Sequence, residues 1–149
     1  MSAGLLLREA WPAAVARGCR RPGVRHTVRA CERNERVYLM GHSMGAIGTW
    51  ALAARYPDRW MALGVFSGFG LASSAKTIAH IPQFVVHGDA DPTLAVGGSR
   101  TMVAALKAVN ADVRYVEIPG GNHTDVDEPN LGAMFDFFDA HRRRGTTAP

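Results

Sequence analysis

The stretch Val37-Tyr-Leu-Met-Gly-His-Ser-Met-Gly-Ala46 runs four apolar residues straight into the pattern Gly41-His42-Ser43-Met44-Gly45. A short unbroken apolar run is the signature of a strand buried on both faces of a parallel sheet. Beyond it Ile47, Trp50, Ala51 and Ala54 recur at helical spacing up to Tyr56, and Pro57 stops the helix. The stretch therefore reads as strand, sharp turn and helix, with Ser43 on the turn. Such a turn strains the backbone, and glycine at both 41 and 45 is expected to let the flanking chain pass close by. Ser43 would stand above the sheet edge at the positive end of the helix, with the Met44 amide pointing at a developing oxyanion. That geometry favours acyl transfer.

A serine hydroxyl is a weak nucleophile until a base takes its proton, so the pattern demands a histidine and a carboxylate further along. Gln83 to His87 reads as a strand, and the loop Gly88-Asp-Ala-Asp-Pro-Thr-Leu-Ala-Val96 offers Asp89 and Asp91. Val113 to Ile118 reads as another strand, and the loop Pro119-Gly-Gly-Asn-His-Thr-Asp125 offers His123. Serine, then aspartate, then histidine, each just past the C-terminal end of a predicted strand, is the chain order of one kind of hydrolase and not of the chymotrypsin or subtilisin kinds. The residues alone leave Asp89 and Asp91 both open as the acid, since only one can meet the imidazole productively.

Through RVYLMGHSMGAIGTWALAARYPDRW, FVVHGDADPTLAV and PGGNH, the chain resembles the α/β-hydrolases, in the serine carboxylesterase branch that includes dienelactone hydrolase-like proteins, phospholipase/carboxylesterases and polyester depolymerases. The likeness spans roughly Asn34 to His141 and covers the C-terminal part of that fold. It implies that the second aspartate, Asp91, is the acid, and that Asp89 shapes its turn by side-chain to backbone hydrogen bonds. It implies a nucleophile elbow at Ser43, a base at His123, an oxyanion donor at Met44 and no cofactor. At His42, where the family commonly has histidine, the side chain is expected to pack behind the nucleophile. The substrate implied is a small-molecule carboxylic ester, cleaved through an acyl-enzyme by a Ser-His-Asp catalytic triad. The family would place further strands and a backbone-donor loop upstream of the elbow strand, and no such loop is recognisable in this sequence.

The chain has 149 residues, 47% of them hydrophobic, which suits a single domain with a real core. Residues 1–34 form an atypical arginine-rich segment, residues 35–144 the hydrolase core, and residues 145–149 a disordered tail. Arginine in the first segment accounts for most of the formal net charge of +4. No aromatic interleaving or basic amphipathic helix accompanies it, so nucleic acid is not an expected partner. Leu5 to Leu7 are interrupted by Arg8 and Glu9 before they could make a signal core, and no run approaches membrane-spanning length, so a cytoplasmic protein is expected. Cys19 and Cys31 read as free thiols, and no set of ligands has the spacing of a zinc or calcium site. His26, His80, His87 and His141 receive structural readings.

Met61 to Phe66 reads as a further buried strand, followed by the loop Ser67-Gly-Phe-Gly-Leu and a short connection over Ala72 to His80 with room for one helical turn. Ser99 to Val109 makes a helix with Met102, Ala105, Leu106 and Val109 on one face and Asn110 as its stop. Asn130 is expected to cap the last helix, whose stripe is Leu131, Met134, Phe135 and Phe138, with Arg142 to Arg144 complementing its negative end. The fold class is therefore α/β: a truncated α/β-hydrolase-type, mostly parallel sheet of about four strands with flanking helices. The elbow strand is left with one edge that lacks its usual neighbour, so the expectation is either that the N-terminal segment covers it poorly or that the chain forms a homodimer or aggregates through that edge. The alternative is a truncated, weakly active or inactive fragment serving as a binding or dimerisation module.

Overall fold

Four apolar runs become four strands: β1 Tyr38–His42, β2 Ala62–Phe66, β3 Gln83–Gly88 and β4 Val113–Ile118. In the computed structural model, which describes residues 37–142, they form one parallel sheet in the order β1, β2, β3, β4. The expected N-terminal segment 1–34 with Cys19, Cys31 and His26, the expected tail 145–149, and Arg143 and Arg144 lie outside the described residues. Parallel strands in sequential order need a crossover between each pair. These are α1 Met44–Arg55, then a 3-10 turn at Ala72–Ser74 with the single-turn α2 Ala75–Ile78, then α3 Gly97–Ala108; α4 Glu128–Ala140 follows β4.

The sheet is covered on both faces, which is why its strands lack polar alternation. On one face Leu63, Val65 and Val85 pack with Ala46, Trp50 and Ala53 of α1, Ile78 of α2, and Met102 and Leu106 of α3. On the other, Ala62, Phe66, Phe84 and Val86 meet Val126 and the α4 residues Met134, Phe137 and Phe138. Gly64 sits where a Cβ would collide with the Met134 sulfur, so its missing side chain sets how closely α4 approaches. Trp50 Nε1–H donates to Gln83 Oε1 at 2.8 Å inside the first layer, giving two buried polar groups to each other. Among the described residues β1 pairs with β2 alone, and Met40 in its centre is 42% exposed. The expected homodimer contact falls on this edge.

Several details differ from the sequence expectations. In α1 the buried positions are Ala46, Thr49, Trp50 and Ala53, while Ala51 is exposed, because the helix starts directly on the turn and its phase follows from Ser43. α3 begins at Gly97, two residues early. Asn110 does end it, in the left-handed region at φ 58. Asn130 is not a cap: α4 is preceded by Asp127, and Asn130 lies in its first turn, donating Nδ2–H to the Val126 carbonyl at 2.8 Å. That start rotates the helix so that Phe137 is buried and Phe135 is 54% exposed. At the other end of α4, His141 N–H and Nδ1 both meet the Phe137 carbonyl, and Nε2 lies 2.9 Å from Asp112 Oδ2.

Replacing Gln83 by Leu keeps the volume but strands the Trp50 indole N–H in the core. The expected loss is about 1–3 kcal/mol of unfolding free energy, read from urea midpoints; an unchanged midpoint would show that the indole finds another partner.

Candidate active site

Because all four strands run parallel, the loops after β1, β2, β3 and β4 leave from the same end of the sheet. Ser43 follows β1 with φ 54 and ψ −119, a left-handed backbone that costs a non-glycine residue energy and persists only where surroundings hold it. They do so on both sides. Its N–H donates to the Phe66 carbonyl at 2.9 Å, and its carbonyl accepts from Ala46 N–H at 3.0 Å and Ile47 N–H at 3.1 Å. A Cβ at Gly41 would run into the backbone carbonyl of Gly45, so glycine is sterically required there. Among the described residues a Cβ at Gly45 would meet nothing within 4 Å, which corrects the expectation that both glycines are needed. Gly41 yields the space, and Gly45 is merely the residue that passes through it.

Asp91 and His123 arrive from β3 and β4. Asp91 Oδ1 accepts the backbone N–H of Thr93 at 2.8 Å and of Leu94 at 2.9 Å, a turn closed on its own carboxylate. Asp91 Oδ2 accepts from His123 Nδ1 at 2.7 Å, and His123 Nε2 lies 2.8 Å from Ser43 Oγ. The three side chains thus form one hydrogen-bonded line from three strand ends. Burial pushes the Asp91 carboxyl up, but the hydrogen bonds from His123, Leu94 and Thr93 outweigh it and hold the group at about 2. Asp89 does not close its own turn. Its Oδ1 accepts the Gly120 N–H at 2.6 Å, tying the loop after β3 to the loop after β4. The two loops also touch directly, since a Cβ on Gly88 would strike the Gly121 carbonyl. Met44 opens α1, and the first N–H groups of a helix have no partner within it, which leaves its amide available at the foot of Ser43.

Three neighbours make contacts that the sequence did not foretell. His87 is fully buried and its Nε2 lies 3.1 Å from Asp91 Oδ2. His42, expected to pack behind the nucleophile, is bonded to the loop after β4: Nε2 donates to the His123 carbonyl at 2.7 Å. The two imidazoles lie tilted at 4.7 Å between centroids. On its far side His42 Nδ1 is 3.8 Å from Asp127 Oδ2, whose carboxyl burial pushes above its ordinary value against the pull of His42 and His123. A histidine inside an elbow and another at a strand end carry no pattern of their own; only the tertiary neighbours give them a role. Among the described residues no cluster of His, Cys, Asp or Glu is arranged to hold a metal ion, and no helix is long and apolar enough to cross a membrane.

A family model described as phospholipase/carboxylesterase matches residues 23–142. A thermostable esterase of known crystal structure is 28% identical and superposes with a TM-score of 0.69, over 74% of this chain and 32% of that one. SOBER1 of Arabidopsis thaliana, at 20% identity and a TM-score of 0.63 over 72% of this chain and 54% of that one, shares the fold. An uncharacterized secreted protein of Arthroderma benhamiae is 28% identical over 115 residues, 57% of this chain and 12% of that protein. The chain therefore spans between about an eighth and about half of the length of these relatives.

Two outcomes follow from the geometry. Gly41→Ala is expected to prevent the turn from closing and to lower the melting temperature sharply, whereas Gly45→Ala should fold as well as the parent or gain about 0.5–1 kcal/mol; equal thermal melts for the two would refute the asymmetry. The Asp91 carboxyl is held below its value in an unfolded chain, so its contribution to stability is complete above pH ~4 and is lost as pH falls toward the folded value. Asp91→Asn should flatten that part of the acid unfolding profile, followed by circular dichroism.

Proposed function

Since the chain belongs to the phospholipase/carboxylesterase family, we propose that it hydrolyses carboxylic esters, with Ser43 as nucleophile, His123 as general base and then general acid, and Asp91 as the acid that orients His123. The observation that carries this reading is the unbroken line of two short contacts, 2.8 Å from Ser43 Oγ to His123 Nε2 and 2.7 Å from His123 Nδ1 to Asp91 Oδ2. Asp91 can only accept, so Nδ1 bears the proton and Nε2 is left basic and facing the hydroxyl.

The steps follow from that tautomer. Nε2 takes the Ser43 proton as Oγ attacks the ester carbonyl, and the oxyanion of the tetrahedral intermediate receives the Met44 N–H. The intermediate collapses, the C–O bond to the alcohol breaks, and the imidazolium returns its proton to the departing oxygen. A water molecule then gives a proton to Nε2 and attacks the acyl-enzyme, and the second collapse frees the carboxylic acid and restores Ser43. Asp91 stays ionised throughout, since its carboxyl is held at about 2. Each oxyanion donor in such a site is worth roughly a hundred- to a thousandfold in turnover. The strained backbone at Ser43 supports the same reading, because residues held off their preferred conformation by their surroundings cluster at reactive sites.

Labelling with a fluorophosphonate probe and hydrolysis of p-nitrophenyl esters of increasing acyl length test the proposal. The parent chain should be labelled and active, Ser43→Ala unlabelled, and His123→Ala slower by roughly a thousandfold or more. Ester hydrolysis that survives intact in Ser43→Ala would sink it.

A further inference from the structure

His87 is the last residue but one of β3, is wholly buried, and takes no part in the steps above. Its Nε2 has two neighbours, the Leu94 carbonyl at 2.9 Å and Asp91 Oδ2 at 3.1 Å. A carbonyl and a carboxylate have no proton to give, so Nε2 must carry one. Its Nδ1 lies 2.7 Å from Ser99 Oγ, whose one hydroxyl proton has two acceptors within reach, Nδ1 and the Gly68 carbonyl at 2.8 Å. The ring is thus fixed at both nitrogens, between α3, the chain leaving β2, and the loop bearing Asp91. The carboxylate is completely subscribed as a result: Thr93 and Leu94 N–H on Oδ1, His123 and His87 on Oδ2.

We infer that His87 is a positioning residue for this site: its Nε2–H anchors Asp91 Oδ2 and, by sharing that oxygen with His123, lowers the basicity of His123. The inference rests on the proposed roles of Ser43, His123 and Asp91. A donor on a carboxylate oxygen withdraws charge from it, and a carboxylate with less charge stabilises an adjacent imidazolium less.

The other charged and titratable groups around His87 are accounted for. Asp89 lies two residues on and is bonded to Gly120 N–H. On β4 the register partner of His87 is Glu117, held at about 2 by Arg100 and by the Tyr115 hydroxyl. From α3, Arg100 Nη2 meets Glu117 Oε1 at 2.6 Å. A substitution at 87 keeps the Arg100–Glu117 pair and removes only the smallest of the influences on Glu117, and it leaves in place the groups that face His123 from elsewhere, His42 at 4.7 Å and Asp127, so the effect it reads is that on Asp91 and His123.

The test is a pH titration of the His123 ring followed by NMR in the parent chain, in His87→Met, which has no donor, and in His87→Gln, which has an amide donor. The His123 midpoint is expected to rise by roughly half a pH unit or more in His87→Met, and to return part of the way in His87→Gln. A midpoint that stays or falls in His87→Met overturns the inference, since a merely structural imidazole would leave it unmoved. Where hydrolysis is measured, the acid limb of kcat/KM should move in parallel, with kcat falling by more than KM rises. Should His87→Met not fold, nitrogen-15 spectra of the parent chain decide the point: His87 Nε2 must bear a proton from pH 5 to 8, and an unprotonated Nε2 overturns it. Failure of the hydrolysis proposal would appear separately, as a parent chain that cleaves no ester while the His123 titration remains readable.

Discussion

Asp91 has its side chain fully withdrawn from solvent, and a buried carboxylate is tolerated only when its acceptor positions are filled. Two of its partners are backbone groups of its own loop, one is at the end of β3, and one is His123 from the loop after β4. The buried charge therefore does two things at once. It fixes the loop conformation after β3, and it draws the loop after β4 across the top of the sheet until the His123 ring reaches Ser43. Asp89 reinforces the second effect by binding Gly120 N–H from the same side, and Gly88 makes the approach sterically feasible.

The opposite half of the site is held by backbone and not by charge. Ser43 is locked between the Phe66 carbonyl and the first turn of α1, in a conformation that Gly41 permits by leaving room for the Gly45 backbone. Gly68 adds to this, since a Cβ there would lie 2.5 Å from the Ala46 side chain. His42 then joins the halves through the His123 carbonyl. Rigid strands with both faces packed supply the fixed base from which such short contacts between distant residues can be kept.

Strand positions were legible because both faces of the sheet are covered: apolar runs such as Gln83 to His87 and Val113 to Ile118 end within a residue of the observed strands. Helix phase was less legible. In α1 and α4 apolar residues are too frequent for the pattern to select one stripe, and the point where each helix starts decides whether Ala51 or Ala53, Phe135 or Phe137, turns inward. Of the groups in the candidate site, Ser43 and His123 could be named because each stands just beyond a strand in the expected order, whereas the choice of Asp91 over Asp89 came from the family resemblance.

By itself the sequence determined an α/β chain with parallel strands, a serine on a strand-to-helix turn, and an aspartate and a histidine following in order, since local periodicity and chain order are properties of the linear sequence. Tertiary structure alone decided that Asp89 binds Gly120, that Gly41 and not Gly45 is the sterically required glycine, and that His87 bonds Asp91 while His42 bonds the His123 carbonyl. Those outcomes depend on which atoms meet in space, whether four residues apart, as His87 and Asp91 are, or 81 apart, as His42 and His123 are. Hydrogen bonding and steric exclusion act on distances in space, about which the spacing of residues along a chain is silent.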